Sequence, residues 1–454
     1  LHGDWQAALG VTVRVPHLSW VSMKGSAKRD YPASISYQSP WYEKYSYIEN
    51  HFARLNTALT RGKPVVNVGV IHPIESYWLS FGPSDVTEST RTQLEERFDN
   101  VIKWLLFGTI DFDFISEALL PSQCGEISDT LAVGEMNYSA IVVPGCLTLR
   151  RSTLDILAKF REKGGKVIFL GSCPKYADAE SCEEICALYD ACEHIDFDRV
   201  ELLGRLADER AIEIRNSDGS AANNLIYQLR RDGDGLWLFI AHAKKNAVCD
   251  NARPQDTLIK IRGSYKPVIY NTIDGEKEEP AFGQKDGCTL LRHTFFSHDS
   301  LLLRLESGEC CATDEKPAPL AVRELNIKEN VGFELAEPNV YLLDMAEYST
   351  DGGKTFCETE EILRIDKKIR EIYDYPLADG CDIQPWAIKP EKIEHFPILK
   401  FTVDSEIETS CRLAYEYAEE ITLNGETVEI TPDGFFVDHS ISTLALPPLR
   451  AGKN

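Results

Sequence analysis

Residues 65–78 read VVNVGVIHPIESYW, an apolar run bounded in front by Gly62, Lys63 and Pro64 and closed abruptly by polar and aromatic side chains. Such a run predicts a buried parallel strand that delivers His72, Glu75, Tyr77 and Trp78 to a crevice, because ligands of open α/β sheets bind beyond the carboxyl ends of the strands. Helical spacing surrounds it: Ile48, Phe52, Leu55 and Leu59 recur at steps of three and four, as do Leu94, Phe98, Ile102 and Leu105. Short apolar runs at 112–115, 138–144 and 166–171 predict further strands, and 152–163 a helix with Ser152 as N-cap and Gly164 and Gly165 as its stop. Strands alternating with helices predict a parallel sheet with right-handed crossovers, a flavodoxin-like or amidotransferase-like three-layer domain over 62–200.

From about residue 201 the period shortens. Runs at 211–215, 224–228, 235–242, 257–262, 268–271, 289–294 and 300–305, separated by Gly, Asp and Asn turns, predict an antiparallel β-sandwich over 201–311. Residues 312–390 read as a charged linker containing an apolar stretch at 339–344 and a helix over 360–373. Beyond it, strand-like runs surround Leu423, Asn424, Gly425 and Glu426, an Asn-Gly signal for a type I′ hairpin within a second, partial sandwich over 391–454. The first 61 residues predict a helical piece, a strand at 11–15, a long polar and aromatic loop, and a helix over 47–59. Strand, loop and helix make one βα unit.

Length and charge narrow the function classes. A chain of 454 residues exceeds one ordinary hydrophobic core, and a net charge of −24 argues against unaided binding to nucleic acid or anionic membrane. The 13 cysteines include no CxxC pair; Cys182, Cys186, Cys192 and His194 are the nearest approach to a zinc set, and reduced, buried thiols of a cytoplasmic protein are the competing account. No apolar run reaches membrane-spanning length and no signal peptide is visible, yet both ends look like cuts through domains. A fragment of a larger protein is therefore expected, which also leaves a secreted or periplasmic location open.

Two clusters carry candidate chemistry. The first gathers His17, Trp20, Ser22, Lys24, Arg29, Asp30, Tyr37, Trp41 and Tyr42; the second is His72, Glu75, Tyr77 and Trp78. Aromatic faces beside hydroxyls and charges suit a sugar ring, whose C–H face stacks while its hydroxyls take directed hydrogen bonds, and the same composition also suits an inter-domain interface. Glu75 is the one acid beside the strand end and the candidate catalytic carboxyl, against the simpler reading of a capping or ion-paired glutamate. Asp111 and Asp113 either hold a cation or are solvated or capping groups. No Gly-x-Ser-x-Gly elbow and no phosphate loop occurs.

The order of these pieces resembles the tail of a large multi-domain glycoside hydrolase. Gly10 to Ser22, the Tyr/Trp-rich loop, and Lys63 and Pro64 leading to His72, Pro73, Ile74, Glu75, Ser76, Tyr77 and Trp78 resemble the point where the last strand of a (β/α)8 barrel passes into a flavodoxin-like ancillary domain. The group around the family 106 α-L-rhamnosidases is the nearest match, with a middle domain also similar to that of family 42 β-galactosidases. Ile273, Asp274, Gly275 and Glu276, then Gln384, Pro385 and Trp386, and finally Leu423, Asn424 and Gly425 with Phe436, Val437 and Asp438 look like its later β-domains, the last a galactose-binding-like jelly roll. The resemblance implies residues 1–61 as the C-terminal part of a TIM-barrel catalytic domain, His17 facing the sugar between Trp20 and Trp41, and catalytic carboxylates upstream of this chain. It also brings in Ca2+, used near the site by some relatives, with no ligand assigned here.

The expected function is glycoside hydrolysis with an oligosaccharide or glycoside as partner, with a homo-oligomer open. A non-catalytic carbohydrate-binding or scaffold protein is the alternative. A third reading, an amidotransferase-like hydrolase using Cys146 or Cys173, lacks a histidine near either thiol in sequence.

Overall fold

The structure is a computed structural model in which residues 2–24, 34–244, 254–308, 331–335, 337–377 and 394–454 are described. The chain divides into two compact units: Leu1–Arg14 with Tyr47–Leu320, and Val15–Ser46 with Ala321–Asn454. Parallel and antiparallel sheets are both present, accompanied by helices.

In the first unit, five strands form a wholly parallel sheet in the order Phe112–Ile115, Val68–Ile71, Ala140–Val143, Lys166–Leu170, Glu193–Ile195. Numbered along the chain this order is 2-1-3-4-5, so the direction of winding reverses between Val68–Ile71 and Ala140–Val143, the place where such sheets open a crevice. The side chains alternate between two cores. Ile71, Ile141, Val143, Val167 and Phe169 pack with Leu154, Leu157 and Phe160 of the helix Arg151–Glu162. Val68, Val70, Val142, Ile168 and Leu170 meet Val101, Leu105 and Leu202 on the opposite face. Burial on both faces explains why these strands are unbroken apolar runs.

Two antiparallel sheets follow. Six strands, Lys63–Pro64, Leu225–Asp232, Gly235–His242, Ser300–Ser307, Tyr265–Tyr270 and Lys277–Glu278, form the larger; Ile212–Asn216, Gln255–Arg262, Cys288–Phe295 and Phe282–Lys285 form the smaller. Leu229, Leu238, Ile240 and Leu303 of the larger face Ile214, Ile259, Ile261 and Leu291 of the smaller in one core. The outer face of the larger sheet is also apolar, where Ile226, Phe239, Ala241 and Leu302 meet Leu55 and Leu59 of the helix Ser46–Leu59 and Ala7 and Ala8 of His2–Ala8. His51 pins this layer: its Nε2 lies 2.6 Å from Asp4 Oδ1 and its Nδ1 2.7 Å from Thr272 Oγ1.

In the second unit, Arg412–Tyr415 and Gly434–Phe436 flank Asp438–Ala445, and Met345–Ser349 pairs with Ile398–Lys400 beside the helix Ile362–Ile372. The Asn424–Gly425 turn joins Ile421–Leu423 to Glu426–Val428, with φ of 52° and 87° as a type I′ turn requires.

Several local expectations change. Residues 11–15 form no strand; Val13 and Val15 are exposed and find no ladder partner among the described residues, and in the apolar stretch 339–344 Tyr341 and Leu342 are likewise exposed. The described part of 1–61 holds helices and no strand, so no barrel is visible in it. The run at 65–78 is a strand only over Val68–Ile71, because Pro73 ends it and opens a short helix, Ile74–Leu79. No described helix is long and apolar enough to cross a membrane.

Candidate functional site

The reversal point of the parallel sheet is the best-built candidate. Ile74–Leu79 starts directly after the first strand, and helical spacing puts Glu75, Trp78 and Leu79 on one face. With Thr148, Arg150, Asp178 and Ala179 they line a cavity of about 510 Å3. Ser76, fully buried, fixes the facing loop by accepting from Leu147 N at 2.9 Å and Thr148 N at 3.2 Å.

Carboxylates converge here on the start of the helix Arg151–Glu162. The expected N-cap Ser152 does not cap it; the flanking residue is Arg150, whose backbone N–H donates to Glu117 Oε2 at 2.7 Å, while Arg151 N donates to Asp178 Oδ1 at 3.2 Å. Acids from two other loops thus take orphan N–H groups at the positive end of a helix dipole. Glu75 is ion-paired, its Oε1 2.5 Å from Arg150 Nε. Burial pushes the Glu117 carboxyl up, against hydrogen bonding from Arg150, with nearby Glu75 adding to the rise. Asp178 and Ala179 both have positive φ, 50° and 67°, in the two-residue turn between Tyr176–Ala177 and Glu180–Ser181, so a strained hairpin borders the cavity.

His72 is not in that lining. Its ring lies edge-on between Phe98 and Phe114, each centroid 5.4 Å away, and burial lowers its pKa, which favours the neutral ring. Tyr77 is half-buried on the short helix. Sequence reasoning missed Ser76, Glu117, Arg150 and Asp178, whose contacts here span 27 to 75 residues of the chain. The one local signal was Pro73 followed by a helical repeat of Glu75, Trp78 and Leu79.

The first predicted cluster belongs to the second unit, where it surrounds Asp438. This fully buried carboxylate accepts from Ser22 Oγ at 3.0 Å, Met23 N at 2.8 Å, Gln38 Nε2 at 3.2 Å and Ser440 N at 2.8 Å, with Tyr37 Oη 3.0 Å away. Burial alone would raise its pKa, and the donors from Ser440, Met23 and Gln38 outweigh it, holding the carboxyl well below the usual range. Tyr37 also packs against His439 and Phe435. It therefore ties the loop to the sheet. His17 sits edge-on to Trp20 at 6.3 Å, Lys24 is exposed, and Trp41 and Tyr42 present open aromatic surface. Arg29 and Asp30 lie outside the described residues.

A solved glycoside hydrolase shares this fold. The rhamnosidase from Novosphingobium sp. PP1Y matches with a TM-score of 0.50 at 15% identity, over 76% of this chain and 31% of its own. The chain therefore spans about a third of that enzyme's length. A GH42 β-galactosidase from G. stearothermophilus is a looser likeness, TM-score 0.42 at 8% identity, over 61% of this chain and 46% of its own, and supports nothing further. No family model and no curated protein matches the chain.

The thiols of the third reading are poor nucleophiles. Burial pushes Cys146 far up, and burial together with a hydrogen bond to Cys186 pushes Cys173 up to about 12. Among the described residues no group of three or more His, Cys, Asp or Glu side chains is placed to hold a metal ion. Cys186, one of the four residues of the zinc reading, instead faces Cys173 at 3.3 Å between sulfurs.

Proposed function

We propose that this chain is the C-terminal portion of a glycoside hydrolase, rhamnosidase-like in architecture, whose main catalytic carboxylates lie on a part of the enzyme outside these 454 residues. The observation that carries the reading is the shared fold with a rhamnosidase over 76% of the chain. Glycoside hydrolysis uses two carboxyls, one to protonate the leaving oxygen and one to attack or to activate water. Glu75, tied to Arg150, enters as a residue that positions the crevice, and Trp78 offers it an aromatic wall. In the second unit, Trp41 and Tyr42 with His17 and Trp20 supply surface for a glycan, and Lys24 a polar contact to it. His72 and Tyr77 are given no direct part in binding.

The test is to assay the enzyme containing this chain against aryl α-L-rhamnosides, β-galactosides and a wider aryl glycoside panel. Release of the aryl group from one of them is expected; none from any would overturn the reading. Glu75→Gln in the same enzyme should keep turnover within about tenfold, whereas a loss beyond about a thousandfold with folding intact would make Glu75 the acid.

One observation favours the second reading, a non-catalytic carbohydrate-binding protein: both acids at the crevice already have structural partners, Glu75 the Arg150 guanidinium and Glu117 a helix N–H. Glycan binding without hydrolysis would select it.

A further inference from the structure

Away from the parallel sheet, the outer face of the six-stranded sheet is only partly covered by helices. Alongside Ser46–Leu59 it leaves a groove of about 680 Å3, lined entirely by residues of the first unit. Its floor is a ladder of rings and cations. Trp237 and Arg304 are register neighbours on adjacent strands, and the Arg304 guanidinium lies 5.2 Å over the Trp237 ring. Trp237 meets Tyr270 edge to face, centroids 5.0 Å apart at 76°, and the Lys277 ammonium lies 4.8 Å over Tyr270. From the helix side come Arg54 and Arg61.

The charge here runs against the whole chain. Four cations and one acid, Asp232, line the groove of a protein with net charge −24. Arg61 takes Asp232 at 2.6 Å, and Arg54 is engaged by the carbonyls of Thr272 and Ile273 at 2.9 and 2.6 Å. Arg304 Nη2 donates to Asp232 O at 2.9 Å and stands 3.9 Å from Asp234 Oδ1, while its buried Nη1 lies 3.7 Å from Asp232 Oδ2, so this guanidinium is held by two acids. Lys277, exposed over Tyr270, forms no ion pair with an acid among the described residues and is the cation the groove offers to an incoming anion. An ammonium takes a carboxylate in a charge-assisted hydrogen bond, and the neighbouring aromatic surface suits the C–H face of a pyranose.

We propose that this groove binds a carboxylated sugar, a hexuronate residue of an acidic glycan, with its carboxylate on Lys277 and its ring against Tyr270 and Trp237. The sugar part rests on the carbohydrate reading above; the anion part rests on the groove alone. The experiment is calorimetric titration of the full chain with galacturonate, galactose and inorganic phosphate, repeated at high ionic strength and with Lys277→Glu and Lys277→Gln, both on an exposed side chain.

Galacturonate should bind at least about tenfold more tightly than galactose, weaken with salt, and lose about tenfold in Lys277→Glu and less in Lys277→Gln. Equal affinity for galactose, phosphate binding as tight as galacturonate, indifference to both variants, or no binding at all would each overturn the proposal. Hydrolysis of aryl glycosides without galacturonate binding would overturn the groove and leave the hydrolase reading standing. Galacturonate binding without any hydrolysis would do the reverse.

Discussion

Glu117 in the first unit and Asp438 in the second are both buried carboxyls, yet their surroundings push them in opposite directions. Burial raises both. At Asp438, donors from Ser440, Met23 and Gln38 more than cancel it, so the charge is held in a cage of hydrogen bonds. At Glu117 the Arg150 N–H is the main offset, Glu75 adds like charge, and the carboxyl stays raised. The difference separates two uses of one functional group. An anion whose hydrogen bonds outweigh burial fixes chain segments together, whereas one whose burial outweighs them keeps its proton for longer as pH rises and is the better place to look for chemistry.

The largest effect is expected at Asp438. Asp438→Ala strands several buried donors at once and should destabilise the second unit by about 3 kcal/mol or more, with Asp438→Asn recovering part of it. Because the folded carboxyl is depressed, its contribution is present in full above the unfolded value near about 4 and is lost as pH falls toward the folded value. Denaturant unfolding followed from neutral to acid pH reads both effects. A change within about 0.5 kcal/mol at neutral pH would deny the cage its role.

How much of this was legible beforehand follows from the range of each interaction. The strands Phe112–Ile115 and Lys166–Leu170 and the helix Ser46–Leu59 follow from apolar period, and the Asn424–Gly425 turn follows from two residues that tolerate positive φ. Residues 11–15 have strand composition too, but a ladder needs a partner, which composition does not reveal. The candidate sites were less legible still. Ser22, Met23 and Gln38 reach Asp438 across 416, 415 and 400 residues, and Glu75 reaches Arg150 across 75, so the identity of each acid's partner is a property of the fold. Glu117 carried no local signal because its partner is a backbone N–H, which every sequence position but proline offers.

A middle-sized effect should appear at Asp111, the acid first considered for a cation. Burial, then the charge of Asp113, raises it to about 7, against a hydrogen bond from Phe112 N. A raised acid acts opposite to Asp438: the stability of the first unit is greatest near the unfolded value of about 3.9, declines as pH climbs toward about 7, and levels off above it. The full difference corresponds to about 4 kcal/mol, but Asp111 is partly exposed, so screening reduces the expected penalty to about 1–2 kcal/mol. Asp111→Asn should recover that at pH 8 and almost nothing at pH 4. Equal denaturation midpoints for wild type and variant at both pH values would show that the carboxyl is solvated in the ordinary way.

The smallest expected effect is the sharpest test of the contrast with Asp438. Glu117→Gln keeps an oxygen that can accept from Arg150 N, so the helix start remains capped, and it removes both the cost of burying charge and the repulsion from Glu75. It also gives up attraction to Arg150 and to the helix N-terminus. These terms oppose each other, and the net change at neutral pH should stay below about 1 kcal/mol. The slope is the clearer readout. In the wild type, Glu117 contributes a fall in stability as pH rises from the unfolded value of about 4.3 toward its raised folded value, and the variant lacks that fall. A loss of about 2 kcal/mol or more at neutral pH would instead class Glu117 with Asp438, as an anion whose charge the fold requires. A small loss together with the missing slope would leave a carboxyl that holds its proton above the ordinary range at the reversal point of the sheet, which is the condition a general acid needs.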